Sequence, residues 1–266
     1  MQKGYIFDLD GTVYLDNRLI DGAAEVIQTL RARGDKLVFL TNKSIATREE
    51  YVEKLNRLGI QVSLEEIINS NYITGKYLKE HMTQTDAAYV IGEEALIQEL
   101  MAENIRMTNN ADIATYVVLG WDRQFHYDKL NIAYQAWVKN NATILATNPD
   151  RTCPVDGGQI PDCAGMIGAM EGVTGKSIDV IIGKPSKLTA EFVVNDILQL
   201  KPEQCYMIGD RLETDILMGN ENGLNTILVL TGITTRELLE ESRIQPTYIL
   251  NSIKEIVSMQ DMTSIK

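Results

Sequence analysis

The amino-acid sequence predicts an α/β protein, a doubly wound parallel sheet interrupted by a second, inserted α/β domain. Three observations carry that expectation. At both ends of the 266-residue chain, short apolar runs rich in β-branched residues alternate with longer stretches of helical period, the pattern of βαβ units. The strand runs are almost unbroken in apolar residues, as parallel strands covered on both faces must be. A middle stretch, residues 78–181, has strand and helix signals of its own, which leaves residues 1–77 and 182–266 as one Rossmann-like core domain.

In chain order, GYIFDLD (4–10) reads as a strand, AAEVIQTLRARG (23–34) as a helix, KLVFLTN (36–42) as a strand and REEYVEKLNRLG (48–59) as a helix. Thr47 with Glu50 and Ser63 with Glu66 have capping-box spacing, in which two side chains satisfy free N–H groups of a first turn, so each marks a helix start. The insert carries strands at AAYVIG (87–92), ATYVVLG (114–120) and ATILATN (142–148), with helices near Glu94–Glu103 and Asp128–Asn140. Beyond it, KLTAEFVVNDILQL (187–200) is a helix, CYMIGD (205–210) a strand, TDILMGNENG (214–223) a helix and NTILVL (225–230) a strand.

Composition narrows the function classes. The 37 acidic and 25 basic side chains leave a net charge of −12, which opposes sequence-independent binding to nucleic acid or anionic lipid, so neither nucleic acid nor membrane is an expected partner. No segment approaches the roughly 18 uninterrupted apolar residues of a bilayer span, and Met1–Asp8 lacks the basic start and long apolar stretch of a signal peptide. Cys153, Cys163 and Cys205 form no C-x-x-C or Cys/His cluster, which fits a reducing compartment and a cytoplasmic location.

The residues able to carry chemistry follow the apolar strands. The first strand runs directly into Asp8-Leu9-Asp10-Gly11-Thr12, and in a doubly wound sheet ligands gather at the carboxyl ends of strands. A solvated turn is the plain reading of such acids. The chemical reading is a hard-cation site in which one carboxylate attacks a substrate while the other handles a proton. Thr41-Asn42 follows KLVFL and offers a hydroxyl and an amide to a phosphoryl oxygen. Lys184, in Gly183-Lys184-Pro185, can neutralise charge on a transferring phosphoryl group. CYMI leads into Gly209-Asp210, with Asp215 at the start of a helix, where the helix dipole alone also favours an acid. Four polar clusters, each just past an apolar strand, are hard to explain as turns.

With DLDGT, the Thr of FLTN, the Lys of GKP and GDRLETD in that order, the sequence resembles the haloacid-dehalogenase-like hydrolases. It is most similar to their subfamily IIA, the NagD or 4-nitrophenylphosphatase-like phosphatases. Thr147-Asn148-Pro149-Asp150 and EGVTGK resemble the cap of that subfamily, and the likeness spans almost the whole chain. The resemblance implies a Mg²⁺-dependent phosphatase acting on small phosphomonoesters (sugar, nucleotide or aryl phosphates) through an aspartyl phosphate. It makes Asp8 the nucleophile and Asp10 the general acid and base. Asp8, the backbone carbonyl of Asp10 and Asp210 would hold the metal, supported by Asp215, while Thr41 and Lys184 contact the phosphoryl group with Asn42 beside it. It also implies a cap able to mediate a homodimer. Arg211 stands where Asn is more common.

Two other readings use the same residue types: a phospho-acceptor binding module of the response-regulator kind, and a phosphoryl-transferring mutase. Asp10 and the insert count against the first, since a receiver needs no lid. Stoichiometric release of inorganic phosphate would count against the second.

Other motifs carry less. Gly172–Ser177 falls short of a phosphate-binding loop, because G-x-x-x-x-G-K-S needs glycine at 170, where the chain has Met170. His81 and His126 lack a paired ligand at helical or hairpin spacing and read as surface or capping residues. Asp150–Met170, rich in Gly, Pro and small residues, reads as loops that approach a site closely, with Asp162 and Cys163 as candidates to choose the leaving group.

Overall fold

Residues 2–155 and 157–258 are described by a computed structural model. The chain opens with β1 (Gly4–Phe7), a short ribbon of β2 (Tyr14–Leu15) and β3 (Arg18–Leu19), then α1 (Ala23–Ala32), β4 (Lys36–Thr41), α2 (Arg48–Arg57) and β5 (Ile67–Asn69). It continues through α3 (Ser70–His81), β6 (Ala88–Ile91), α4 (Glu94–Ala102), β7 (Tyr116–Leu119), α5 (Tyr127–Asn140) and β8 (Thr143–Ala146). An antiparallel pair, β9 (Thr152–Val155) and β10 (Gly158–Pro161), precedes α6 (Ala164–Thr174) and β11 (Val180–Ile181). Last come α7 (Lys187–Glu191), β12 (Cys205–Gly209), α8 (Leu217–Glu221), β13 (Asn225–Val229), α9 (Arg236–Glu241) and β14 (Tyr248–Leu250).

Six strands form the core sheet in the order β14-β13-β12-β1-β4-β5, with β1 pairing in parallel to both β12 and β4. Tyr5, Ile6, Phe7, Phe39 and Ile208 are all fully buried, which is why these strands read as continuous apolar runs. Phe7 lies opposite both Phe39 and Ile208. Residues just past these three positions therefore emerge together at the carboxyl edge. Helix α1 buries Ala23, Val26, Ile27 and Leu30, a stripe at helical spacing, and burying a side chain of the larger kind contributes about 1.5–3 kcal/mol.

The chain divides into two compact units. One runs up to Thr41, over Tyr51–Ile68 and from Lys184 onward; the other comprises Asn42–Glu50 and Asn69–Gly183. The second unit has its own parallel sheet, β11-β8-β7-β6, with Ile91, Val117, Leu119, Ile144, Ala133 and Met170 in its core. This division differs from the expected 78–181, for local reasons. Helix α3 is unbroken from Ser70, capped by Asn69, whose side chain accepts the Tyr72 N–H at 2.8 Å, and it packs on α4. The Asn69 and Asn71 amides donate to the Ala46 and Ser44 carbonyls at 3.1 and 2.9 Å, and Arg48 pairs with Glu99, which ties 42–50 to the same unit.

Thr47 and Glu50 form a reciprocal capping box, at 2.8 and 3.2 Å, at the start of α2. The Ser63 box closes only a 3₁₀ turn, Leu64–Glu66, where a helix was expected. Arg31 grips Glu66 through two bonds of 2.6 and 2.8 Å, and buried Ile67 and Ile68 then join the sheet edge as β5, so tertiary burial overrides the local signal. Gly175, in left-handed conformation, caps the C-terminus of α6, so Gly175-Lys176-Ser177 leaves a helix and does not open one, as a phosphate-binding loop would. Among the described residues no helix is long and apolar enough to cross a membrane.

Candidate active site

At the carboxyl edge of the core sheet, the Asp8 N–H donates to the Ile208 carbonyl at 2.8 Å, extending the ladder by one residue and fixing the direction in which Asp8 leaves β1. The chain then turns sharply, with Val13 N–H on the Leu9 carbonyl at 2.9 Å and Gly11 at a φ of 87°, a left-handed backbone that favours glycine. A Cβ at Gly11 would lie 2.6 Å from Asp210 Oδ2, so the absent side chain also admits Asp210. After Asp210 the backbone is wound wide over Leu212–Ile216: the Ile216 N–H reaches back to the Arg211 carbonyl at 3.2 Å, a π-type step. That winding returns Asp215 toward the strand, where its Oδ2 accepts the Arg211 N–H at 3.1 Å.

Buried Lys184 joins these segments. Its Nζ lies 2.5 Å from Asp8 Oδ1, 2.8 Å from Asp215 Oδ1 and 3.3 Å from the Leu40 carbonyl. Carboxylate oxygens of Asp8, Asp210 and Asp215 all fall within 4.8 Å of one another. Three buried acids around one ammonium are short of positive charge. Burial pushes the Asp8 carboxyl well above the ordinary range despite Lys184, and burial with the Asp215 charge pushes Asp210 up to about 7. Burial works against the Lys184 ammonium too, yet Asp215 and Asp8 hold it above its usual value.

The donor set fits a hard divalent cation. Asp210 Oδ2 accepts the Ile233 N–H at 2.6 Å, whereas Asp210 Oδ1 is buried with no hydrogen-bond partner. A buried carboxylate oxygen without a donor, among three acids that share one ammonium, is an arrangement that a hard divalent cation would complete.

Of the residues singled out from the sequence, Asp8, Lys184, Asp210 and Asp215 are thus brought together. Thr41 is buried at the end of β4, two positions past Phe39, at the same sheet edge. Asp10 accepts the Tyr14 hydroxyl at 3.3 Å. Asn42 belongs to the second unit, where its amide donates to Asp150 Oδ2 at 2.9 Å.

Asp162 and Cys163, candidates to choose the leaving group, are packed as follows. Both are buried inside the second unit: Asp162 Oδ1 accepts from the Asn148 amide at 3.1 Å and the Cys163 N–H at 2.6 Å, while the Cys163 thiol donates to the Leu119 carbonyl at 3.4 Å. Burial pushes that thiol up to about 12, the behaviour of a packed cysteine. A run of small residues permits close packing as readily as close approach to a ligand, and here Asn148 draws Asp162 inward. His81 stacks on Tyr77 at the end of α3, and His126 occupies the N-cap of α5.

Two features escaped the sequence reading. Tyr14 is buried, its ring lies 3.6 Å from the Lys54 ammonium and its hydroxyl points to Asp10; within VYL it reads only as core. Thr231 to Thr234 follow β13, and the Thr231 hydroxyl donates to the Gly11 carbonyl at 2.6 Å. The available signal was one more polar cluster, TGITT, just past an apolar strand.

A family model described as haloacid dehalogenase-like hydrolase matches residues 5–106, and a second, HAD-hydrolase-like, matches residues 181–256. The sugar-phosphatase AraL of Bacillus subtilis (strain 168) is 37% identical over 258 residues, covering 97% of this chain and 93% of its own length. Among solved structures, the p-nitrophenyl phosphatase from Archaeoglobus fulgidus is similar with a TM-score of 0.90 at 33% identity, covering 97% of this chain and 99% of that one. NagD from E. coli K-12 is similar with a TM-score of 0.85 at 31% identity, covering 96% of this chain and 98% of that one.

Proposed function

Because the chain belongs to the haloacid dehalogenase-like hydrolases, in their NagD and 4-nitrophenylphosphatase-like subfamily IIA, we propose that it hydrolyses small phosphomonoesters through an aspartyl phosphate on Asp8. It is a phosphoric monoester hydrolase, and sugar and aryl phosphates are the first substrates to try. The observation that carries the reading is Lys184, buried between Asp8 and Asp215 in a cluster of three carboxylates.

In the first step an Asp8 carboxylate oxygen bonds to phosphorus as the bond to the leaving oxygen breaks, and Asp10 gives that oxygen its proton. In the second, Asp10 takes a proton from water, whose oxygen attacks phosphorus; the bond to Asp8 breaks and inorganic phosphate leaves. Lys184 neutralises phosphoryl charge throughout, and the Thr41 hydroxyl hydrogen-bonds a phosphoryl oxygen. Mg²⁺, held by Asp8, the Asp10 carbonyl and Asp210 with Asp215 in support, would supply the missing positive charge at the phosphoryl group. Asn42, engaged with Asp150, leaves direct phosphoryl contact to Thr41 and Lys184. The second unit serves as the cap.

The test is phosphate release from a panel of sugar, nucleotide and aryl phosphates, with Mg²⁺ and with excess chelator. Many turnovers per protein with Mg²⁺, almost none with chelator, and orders of magnitude lost in Asp8→Asn are expected. One equivalent of leaving alcohol per chain with no free phosphate would indicate a self-modifying receiver, and more than about a tenth of wild-type activity in Asp8→Asn would remove the aspartyl phosphate.

A further inference from the structure

We propose that the loop Thr231–Thr234 is a positioning device for Asp210, fixing one carboxylate oxygen so that the other, Oδ1, is presented to the cation. This rests on the reading of Asp8, Asp210 and Asp215 as a metal centre. Strand β13 pairs in parallel with β12, Leu228 lying opposite Gly209, so the loop leaves the sheet beside Asp210. It holds that residue at two points: the Ile233 N–H on Oδ2 at 2.6 Å and the Thr234 N–H on the backbone carbonyl at 3.1 Å. The first is a short bond to an acid oxygen, the kind that strengthens with ionisation.

Gly232 makes this approach possible. A Cβ there would lie 1.9 Å from Asp210 Oδ2, so the demand is for space. The same loop reaches the nucleophile's turn through the Thr231 hydroxyl on the Gly11 carbonyl at 2.6 Å. The two oxygens of Asp210 are thereby made unequal. Turning the carboxylate out of this plane would break the Ile233 bond, and the oxygen that does not accept it, Oδ1, buried and without a hydrogen-bond partner, is the atom left for a cation. Partners of this kind, one bond removed from a metal, set metal affinity by fixing ligand orientation, and their loss typically costs about 10–100-fold.

The experiment titrates Mg²⁺ into metal-free wild type, Thr231→Val, Thr231→Ser, Gly232→Ala and Asp210→Asn. Binding is followed by calorimetry and by the rise of Tm with Mg²⁺; the Mg²⁺ dependence of phosphate release is read alongside. Gly232→Ala should raise the Mg²⁺ Kd at least tenfold and Thr231→Val severalfold, Thr231→Ser should restore it, and excess Mg²⁺ should recover lost activity. If Gly232→Ala does not fold, Thr231→Val decides. Wild-type Mg²⁺ affinity in Thr231→Val and in folded Gly232→Ala, with binding lost in Asp210→Asn, would overturn the positioning role alone. A lowered Tm with unchanged Mg²⁺ affinity would do the same. Undiminished binding in Asp210→Asn would instead overturn the metal centre.

Discussion

Replacing Lys184 by Met removes an ammonium 2.5 Å from Asp8 and 2.8 Å from Asp215 while keeping most of the stem that fills its buried site. Breaking a buried ion pair by removing one partner costs about 3–5 kcal/mol, because the remaining charge is left uncompensated. At about 2 °C per kcal/mol for a chain this long, Tm should fall by roughly 6–10 °C at alkaline pH without metal. The pH dependence identifies the cause. Asp8 and Asp210 already titrate above the ordinary 3.8, Asp210 at about 7, and without the lysine both should rise further. An acid whose folded pKa exceeds its unfolded one binds more protons when folded, so its penalty is absent below the unfolded value and grows as pH climbs toward the folded one. Calorimetric Tm values for both proteins at pH 5 and pH 8, with chelator and with Mg²⁺, test this. The deficit should be largest at pH 8 in chelator, smaller at pH 5, and partly recovered by Mg²⁺. An equal deficit at both pH values, indifferent to Mg²⁺, would mean that Lys184 matters for packing and that the charge argument is wrong.

Tyr14→Phe deletes only the hydroxyl that faces Asp10, and should lower kcat by roughly 2–10-fold on alkyl phosphates but less on 4-nitrophenyl phosphate, whose leaving group needs no proton; equal losses on both would detach Tyr14 from acid catalysis. Asp162→Ala takes the acceptor of the Cys163 N–H and one of two from the Asn148 amide, which keeps Asp150, at about 1–3 kcal/mol for a buried donor left unpaired, so thermal stability should drop while relative kcat/KM across a phosphate panel stays constant; a changed preference would return Asp162 to the specificity site. Asp86 accepts from the Thr83 hydroxyl and N–H, both at 2.7 Å, and from the Thr115 hydroxyl at 2.8 Å, the Thr83 hydroxyl contributing most to holding its carboxyl below the ordinary 3.8. That stabilisation exists above about pH 4 and is lost as pH falls through the lowered value, so the Tm gap between wild type and Asp86→Ala should narrow in acid; a gap independent of pH would exclude the carboxylate charge as its source.

The core sheet was legible because each of its long strands is an apolar run with a polar residue at its exit. Asp8, Thr41 and Asp210 could be placed at one edge from that pattern alone. What the pattern could not reveal was the direction of side chains whose partners are distant in sequence. Asn42 adjoins Thr41 in the chain yet bonds Asp150, 108 positions away. Ser63 and Glu66 made their box as the spacing required, but the two isoleucines after it gained more from the sheet edge than from a helix. Tyr14 was hidden because a buried tyrosine and a buried phenylalanine look alike in an apolar pattern, and only the fold decides where the hydroxyl goes.

The wide winding after Asp210 bears on how this segment can vary. Successive residues of an ordinary α-helix are turned by about 100°, so removing one residue between Arg211 and Asp215 would swing the acid out of line with Lys184 by roughly that angle. The segment is therefore constrained in length even where it is free in identity. Glu213 points to solvent and could become almost any residue, but deleting it would reset the phase of everything downstream. In comparing homologous chains, a gap in this segment would be a stronger sign of altered chemistry than a substitution at its exposed position.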